Sequence, residues 1–179
     1  AYAYPFRGGR LEDCGSAAGG HTTLNVPLPR GAHDAEYRRL FDAAWFPALA
    51  VFRPDAVVLQ AGTDMLAADP LGKLEISTEC FLDIAGIIHA TAPRHADGTP
   101  RLLVIGGGGY HPLLVARAWT GLWALLSGRA LPADIPPEGT AVLRSAGWDA
   151  DAGEAHFPRL FASRLDGTVP RDIRTPVHR

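Results

Sequence analysis

Asp64 and Tyr110 are the two side chains in this 179-residue chain whose types and placement best suit joint chemistry. Each follows a short apolar run. Val57-Val58-Leu59-Gln60 empties into Ala61-Gly62-Thr63-Asp64, and Leu102-Leu103-Val104-Ile105 empties into four consecutive glycines and Tyr110. If both runs are strands of one parallel sheet, their carboxyl ends open on the same rim, where ligands of open α/β sheets bind. A carboxylate there can hold a hard or borderline cation, and a phenol can donate a proton or a hydrogen bond to a developing oxyanion. Plainer roles stand beside these. An Asp after a strand also serves as a turn former or a helix cap, and a Tyr can simply pack its ring. The glycine run is more specific. It costs backbone entropy, which implies close approach of a ligand or another backbone, or positive φ angles.

Competing motifs fail. G-x-G-x-x-G cannot be placed on residues 106–109 in any register, and no Gly-Lys-Ser/Thr follows, so a phosphate loop is disfavoured. The seven histidines (21, 33, 89, 95, 111, 156 and 178) form no H-E-x-x-H, no adjacent pair and no Asp-x-His, and the chain contains no G-x-S-x-G. His111 reads as a helix cap or a rim residue. Arg159, Arg164, Arg171, Arg174 and Arg179 give the tail a mild basic bias that reads as solvated surface.

The elements that must position the two loops follow from periodicity. A turn-rich start ends in an extended run at 22–28, read as a strand stopped by Pro27 and Pro29. From Asp34, a candidate N-cap, apolar residues recur at three- and four-residue steps through Phe52, with Pro47 expected to kink or split that helix. Residues 56–60 and 101–105 are β-branched runs without alternation, the pattern of strands buried on both faces. Ser77 caps a helix in which Phe81, Ile84, Ile87 and Ile88 share a face. Pro112 opens a third helix and Gly128 lies just past its end, with Trp119 and Trp123 read as core. Strand–helix–strand–helix alternation predicts parallel strands in a three-layer α/β fold. We divide the chain into a sheet and helix core at 1–131 and an irregular, wrapping tail with short helices at 132–179.

Composition excludes several classes. Hydrophobic residues make up 47% of the chain, too many for a disordered one, and the net charge of −2 offers no field to attract nucleic acid or an anionic membrane. Lys73 is the only lysine among 17 basic residues, a skew that genomic base composition explains as well as function does. Cys14 and Cys80 form no C-x-x-C, so neither a disulfide scaffold nor a thiolate zinc finger is expected, and a reducing cytoplasm is the expected setting. The most apolar stretch, 102–126, is interrupted by four glycines, His111 and Arg117, and is not expected to span a membrane.

The long segments are more specific. Residues 57–72 (VVLQAGTDMLAADPLG), 102–110 (LLVIGGGGY) and 115–120 (VARAWT) resemble the histone deacetylase superfamily, with bacterial acetoin-utilisation deacetylases the closest in appearance. Tyr4-Pro5, Gly8-Gly9, Asp13-Cys14-Gly15, 25–29 (NVPLP) and the stretch 136–144 add to it. The resemblance implies an arginase/deacetylase-like α/β fold and zinc-dependent hydrolysis of an N-acetyl amide, typically acetyl-lysine. Carried over by position, Asp64 is the implied third zinc ligand and Tyr110 the phenol that polarises the acetyl carbonyl. Gly107 and Gly108 are the implied wall of a narrow acyl-lysine channel, with Tyr4 and Leu71 as further wall residues.

One departure is large. The family draws its other zinc ligands from an Asp-x-His motif and its general base from a His-His pair, both N-terminal to the segments matched here. Neither occurs in this chain, which does not open with Met. The sequence therefore resembles the C-terminal half of such a domain. It is expected to be inactive alone, to expose apolar sheet surface and to need a missing N-terminal half. Potassium is usual in the family, but most of its ligands would fall in that half. The rival reading is a non-catalytic truncated relative that binds acyl-lysine or serves as an interaction module.

Overall fold

The computed structural model describes residues 8–20, 22–146, 159–167 and 171–174. Within them, four α-helices and two strands run in the order α1 (Asp34–Phe52), β1 (Val57–Gln60), α2 (Thr78–Thr91), β2 (Leu102–Ile105), α3 (Pro112–Leu126) and α4 (Pro137–Ser145). No helix among the described residues is long and apolar enough to cross a membrane.

The two strands pair in parallel, Val57 with Leu102 through Gln60 with Ile105, and α2 makes the crossover. That connection puts both strand ends on one rim. Side chains alternate along each strand. Val57, Leu59, Leu102 and Val104 face the helices. Val57, Leu59 and Leu102 pack with Ile76, Cys80, Ile84 and Ile88, together with Tyr37, Phe41 and Trp45 of α1. Leu59 and Val104 also pack against a larger cluster that includes Ala61, Leu66, Phe81, Leu114, Leu122, Leu160 and Phe161. The opposite face is bare: Val58 is 62% exposed, Leu103 58% and Ile105 42%. The expectation of strands buried on both faces is therefore corrected, since helices among the described residues cover one side.

Other expectations change for identifiable reasons. Residues 22–28 form no ladder; the segment is tied to the preceding turns by Asn25, whose Nδ2 donates to the carbonyls of Arg10 (3.0 Å) and Asp13 (2.8 Å). Pro47 does not split α1. Pro47 and Ala43, whose carbonyl loses its amide partner, are both exposed, so water can replace the missing bond. His33, not Asp34, takes the N-cap position of α1. Asp34 instead accepts from the amide (2.8 Å) and hydroxyl (2.7 Å) of Ser77, joining the starts of α1 and α2. Ser77 caps α2 through the Cys80 amide at 2.9 Å, as its sequence position predicts. Pro112 opens α3, and Phe81, Ile84 and Ile88 are buried. Trp123, read as core, is 52% exposed, and the Arg129 guanidinium lies 5.3 Å from its ring centre.

The C-terminal segments pack back on this core. Leu160 and Phe161 are fully buried. Asp166 accepts hydrogen bonds from the amide (2.6 Å) and hydroxyl (3.1 Å) of Thr78 and from Arg117 of α3 (2.8 Å). Burial pushes the Asp166 carboxyl up and the Arg117 guanidinium down, and the ion pair opposes both shifts. Such a pair fixes geometry more than it adds stability. Arg174 grips Glu36 at 2.5 and 2.6 Å, holding that carboxyl down at about 2.

Candidate functional site

The rim is assembled from two loops that leave neighbouring strands. The Ala61 amide donates to Ile105 at 2.9 Å, extending the ladder, and the Thr63 amide donates to the Gly108 carbonyl at 2.7 Å, stitching the loops together. Such proximity requires glycine. A Cβ on Gly107 would lie 2.8 Å from both Cα and N of Gly62, and one on Gly108 would lie 2.1 Å from Asp64 Oδ2. At Gly109, φ is +148° and a Cβ would meet Thr63 Oγ1 at 2.2 Å. Close approach of the Gly62 backbone, the Asp64 carboxylate and the Thr63 hydroxyl thus explains Gly107, Gly108 and Gly109, whereas a Cβ on Gly106 would meet open space.

Asp64 therefore lies directly against the Gly108 backbone, half-buried, at the junction of the loops. Burial raises its carboxyl above the usual range, and the nearby charge of Asp69 raises it further. A like charge and partial desolvation are the surroundings in which a carboxylate gains most from a bound cation. Tyr110 stands two residues beyond Gly108, 53% exposed. Leu71 is 60% exposed. Its loop is pinned at Gly72, where a Cβ would fall 1.6 Å from the Asp64 carbonyl oxygen.

The structure thus gathers Asp64, Gly107, Gly108, Leu71 and Tyr110 on one rim, whereas Tyr4 lies outside the described residues. A cavity of about 470 Å³ adjoins Tyr110 and His111, walled also by Asp69, Pro70, Gly72 and Lys73. Asp64, Gly107 and Gly108 are not on its wall, so this cavity is not the acyl channel implied by the resemblance.

Sequence reasoning missed Asp69. Its side chain is buried, with Oδ1 accepting from the amides of Leu71 (2.9 Å) and Gly72 (2.8 Å) and Oδ2 from that of Tyr110 (2.7 Å). The signal was present as Asp69-Pro70-Leu71-Gly72, an Asx-turn pattern.

As a metal site the rim is partial among the described residues. A catalytic zinc takes three protein ligands, and Asp64 fits as one. Among the described residues, no three His, Cys, Asp or Glu side chains gather around a common point.

Comparison with known proteins places this geometry. Residues 1–126 match the histone deacetylase domain profile. Histone deacetylase 8 of Xenopus laevis is 34% identical over 129 residues, which cover 72% of this chain and 37% of that protein. Histone deacetylase RPD3 of Saccharomyces cerevisiae is 37% identical over 128 residues, covering 72% and 28%. Among solved structures, a histone deacetylase homologue from Aquifex aeolicus superposes with a TM-score of 0.82 at 34% identity, covering 97% of this chain and 45% of that one. A homologue crystallised in complex with SAHA gives 0.81 at 32%, with the same coverage. The chain therefore spans less than half of the related solved chains and less than two fifths of these curated relatives. By its loops, its fold and its matched residues, it belongs to the histone deacetylase family and has the α/β fold of that family.

Proposed function

We propose that this chain supplies the oxyanion-stabilising phenol and one metal ligand to a deacetylase site that hydrolyses N-acetyl amides of the acetyl-lysine type. The observation that carries the reading is the junction of the two strand-end loops. It seats the Asp64 carboxylate on the Gly108 backbone, with Tyr110 two residues further along the same loop. In hydrolysis, water adds to the acetyl carbonyl, the C–N bond breaks, and acetate and a free amine leave. The Tyr110 phenol donates a hydrogen bond to the carbonyl oxygen as negative charge develops there. Asp64 contributes a carboxylate ligand, and a zinc ion, when bound, polarises the carbonyl and acidifies its water. Gly107, Gly108 and Leu71 form the wall along which a thin aliphatic chain would pass.

The remaining ligands and the general base come, in this proposal, from a complementing N-terminal half. The bare apolar face of Val58, Leu103 and Ile105 supports that reading, because sheet surface of this kind is ordinarily covered. The test is hydrolysis of an acetyl-lysine peptide by this chain, alone and co-expressed with the N-terminal half of a histone deacetylase domain. Turnover only in the pair, abolished by Asp64→Ala and cut by Tyr110→Phe, is the expected result. Binding of the peptide without turnover in the pair would replace this reading with that of a non-catalytic acyl-lysine-binding module.

A further inference from the structure

We infer that Asp69 is a positioning residue for Tyr110, its buried carboxylate fixing the backbone from which the phenol projects and tying it to the Leu71 loop; this rests on the deacetylase reading above. Three observations carry it. First, Tyr110 leaves the glycine run at the surface. The residue is 53% exposed, and the preceding Gly109 has φ +148°, a conformation open to glycine and barely populated by other residues. A glycine run confers no conformational preference of its own, so the direction in which the chain leaves it must be set from outside. Second, Asp69 supplies that anchor from 41 residues away. Its Oδ2 accepts from the Tyr110 amide at 2.7 Å, a charge-assisted bond, and its side chain is buried at 6% residue exposure. Third, the local turn does not need this bond. The turn at 69–72 is completed by Oδ1 alone, which accepts from Leu71 and Gly72 at 2.9 and 2.8 Å. The second oxygen is available for the long-range contact.

One carboxylate therefore sets two parts of the rim at once, the phenol and the Leu71 wall. A displacement of about 1 Å in a reacting group can cost on the order of a hundredfold in rate.

Asp69→Asn separates the two roles. An asparagine oxygen can keep the turn, while its amide nitrogen faces the Tyr110 N–H as a second donor and cannot accept. Hydrogen exchange on this chain is expected to show the Tyr110 amide losing about tenfold or more of its protection, with Leu71, Gly72 and the α3 amides of Ala118 and Leu122 unchanged. Equal Tyr110 protection in wild type and variant would overturn the inference. Should the variant not fold, the wild-type chain decides: a scalar coupling across the hydrogen bond between the Tyr110 amide nitrogen and the Asp69 carboxyl carbon is expected, and its absence overturns the anchor. In the complete domain, Asp69→Asn is expected to lower kcat about 10- to 100-fold with KM within about twofold. Its loss should not multiply with that of Tyr110→Phe in the double variant. Multiplying losses, or a raised KM at constant kcat, would reduce Asp69 to a structural turn. A wild-type domain that hydrolyses no acetyl-lysine would sink the deacetylase reading alone, and the exchange pattern would still decide on Asp69.

Discussion

Gly108→Ala is the smallest change that should disable the rim while leaving the fold in place. The φ of Gly108 is not positive, so alanine adds no backbone strain there. The cost is steric: the new Cβ would lie 2.1 Å from Asp64 Oδ2 and 2.6 Å from its Cγ. The second distance falls roughly 1 Å inside ordinary van der Waals contact and the first further still. Asp64 cannot retreat freely, because its own carbonyl oxygen is pressed against Gly72, where a Cβ would sit only 1.6 Å away. The carboxylate must therefore rotate off the rim or the two loops must part. Overpacking of this kind costs about 1–3 kcal/mol. Misplacing the candidate ligand by about 1 Å is expected to cost on the order of a hundredfold in kcat/KM. The assay pairs thermal unfolding of the variant with acetyl-lysine turnover in the complete domain. A cooperative transition with Tm lowered by about 2–12 °C, combined with that loss of turnover, is the predicted outcome. Full activity at unchanged Tm would refute the placement of Asp64 against Gly108 as a functional contact.

Three further outcomes follow from the packing. Asp166→Ala strands the buried Arg117 charge and the Thr78 amide, and should destabilise the chain by about 3–5 kcal/mol in urea unfolding. Glu36, held at about 2 by Arg174 against an ordinary value of 4.5, binds its proton more weakly folded than unfolded. Its contribution is therefore fully present above about pH 4.5 and is lost as the pH falls toward 2, so the Tm gap between wild type and Arg174→Gln should close over that window. Replacing Leu103, 58% exposed on the bare sheet face, with Lys should leave the Tm of this chain nearly unchanged and prevent complementation by an N-terminal half. Normal complementation by the Leu103→Lys chain would show that this face is not the interface.

Much of the rim was legible because its signals are local. Strand runs, a glycine run and two chemically capable residues at strand ends define it without knowledge of long-range packing. Ser77 and Pro112 mark their helix starts for the same reason, since caps are set by one or two residues. The failures are nonlocal. Val58 and Leu103 are as apolar as Val57 and Leu102, and only the register shows which face the helices cover. Asp34 has the chemistry of a cap, but the Ser77 amide and hydroxyl, 43 residues away, claim its carboxylate. The Asp-Pro-Leu-Gly turn reveals one oxygen of Asp69, whereas the other is visible only once the sheet has brought residue 110 alongside. Leu160 and Phe161 enter the core from a segment with little periodicity, and a pair of adjacent apolar residues leaves no periodic signal to read.

If Asp64 is one ligand of a site completed by residues from an N-terminal half, zinc binding must depend on both parts. The measurement is zinc per chain after dialysis against low free zinc. This chain alone is expected to hold almost none, its complex with that half one zinc, and the Asp64→Ala complex none. Tight stoichiometric zinc on this chain alone, or zinc retained by the Asp64→Ala complex, would contradict that dependence.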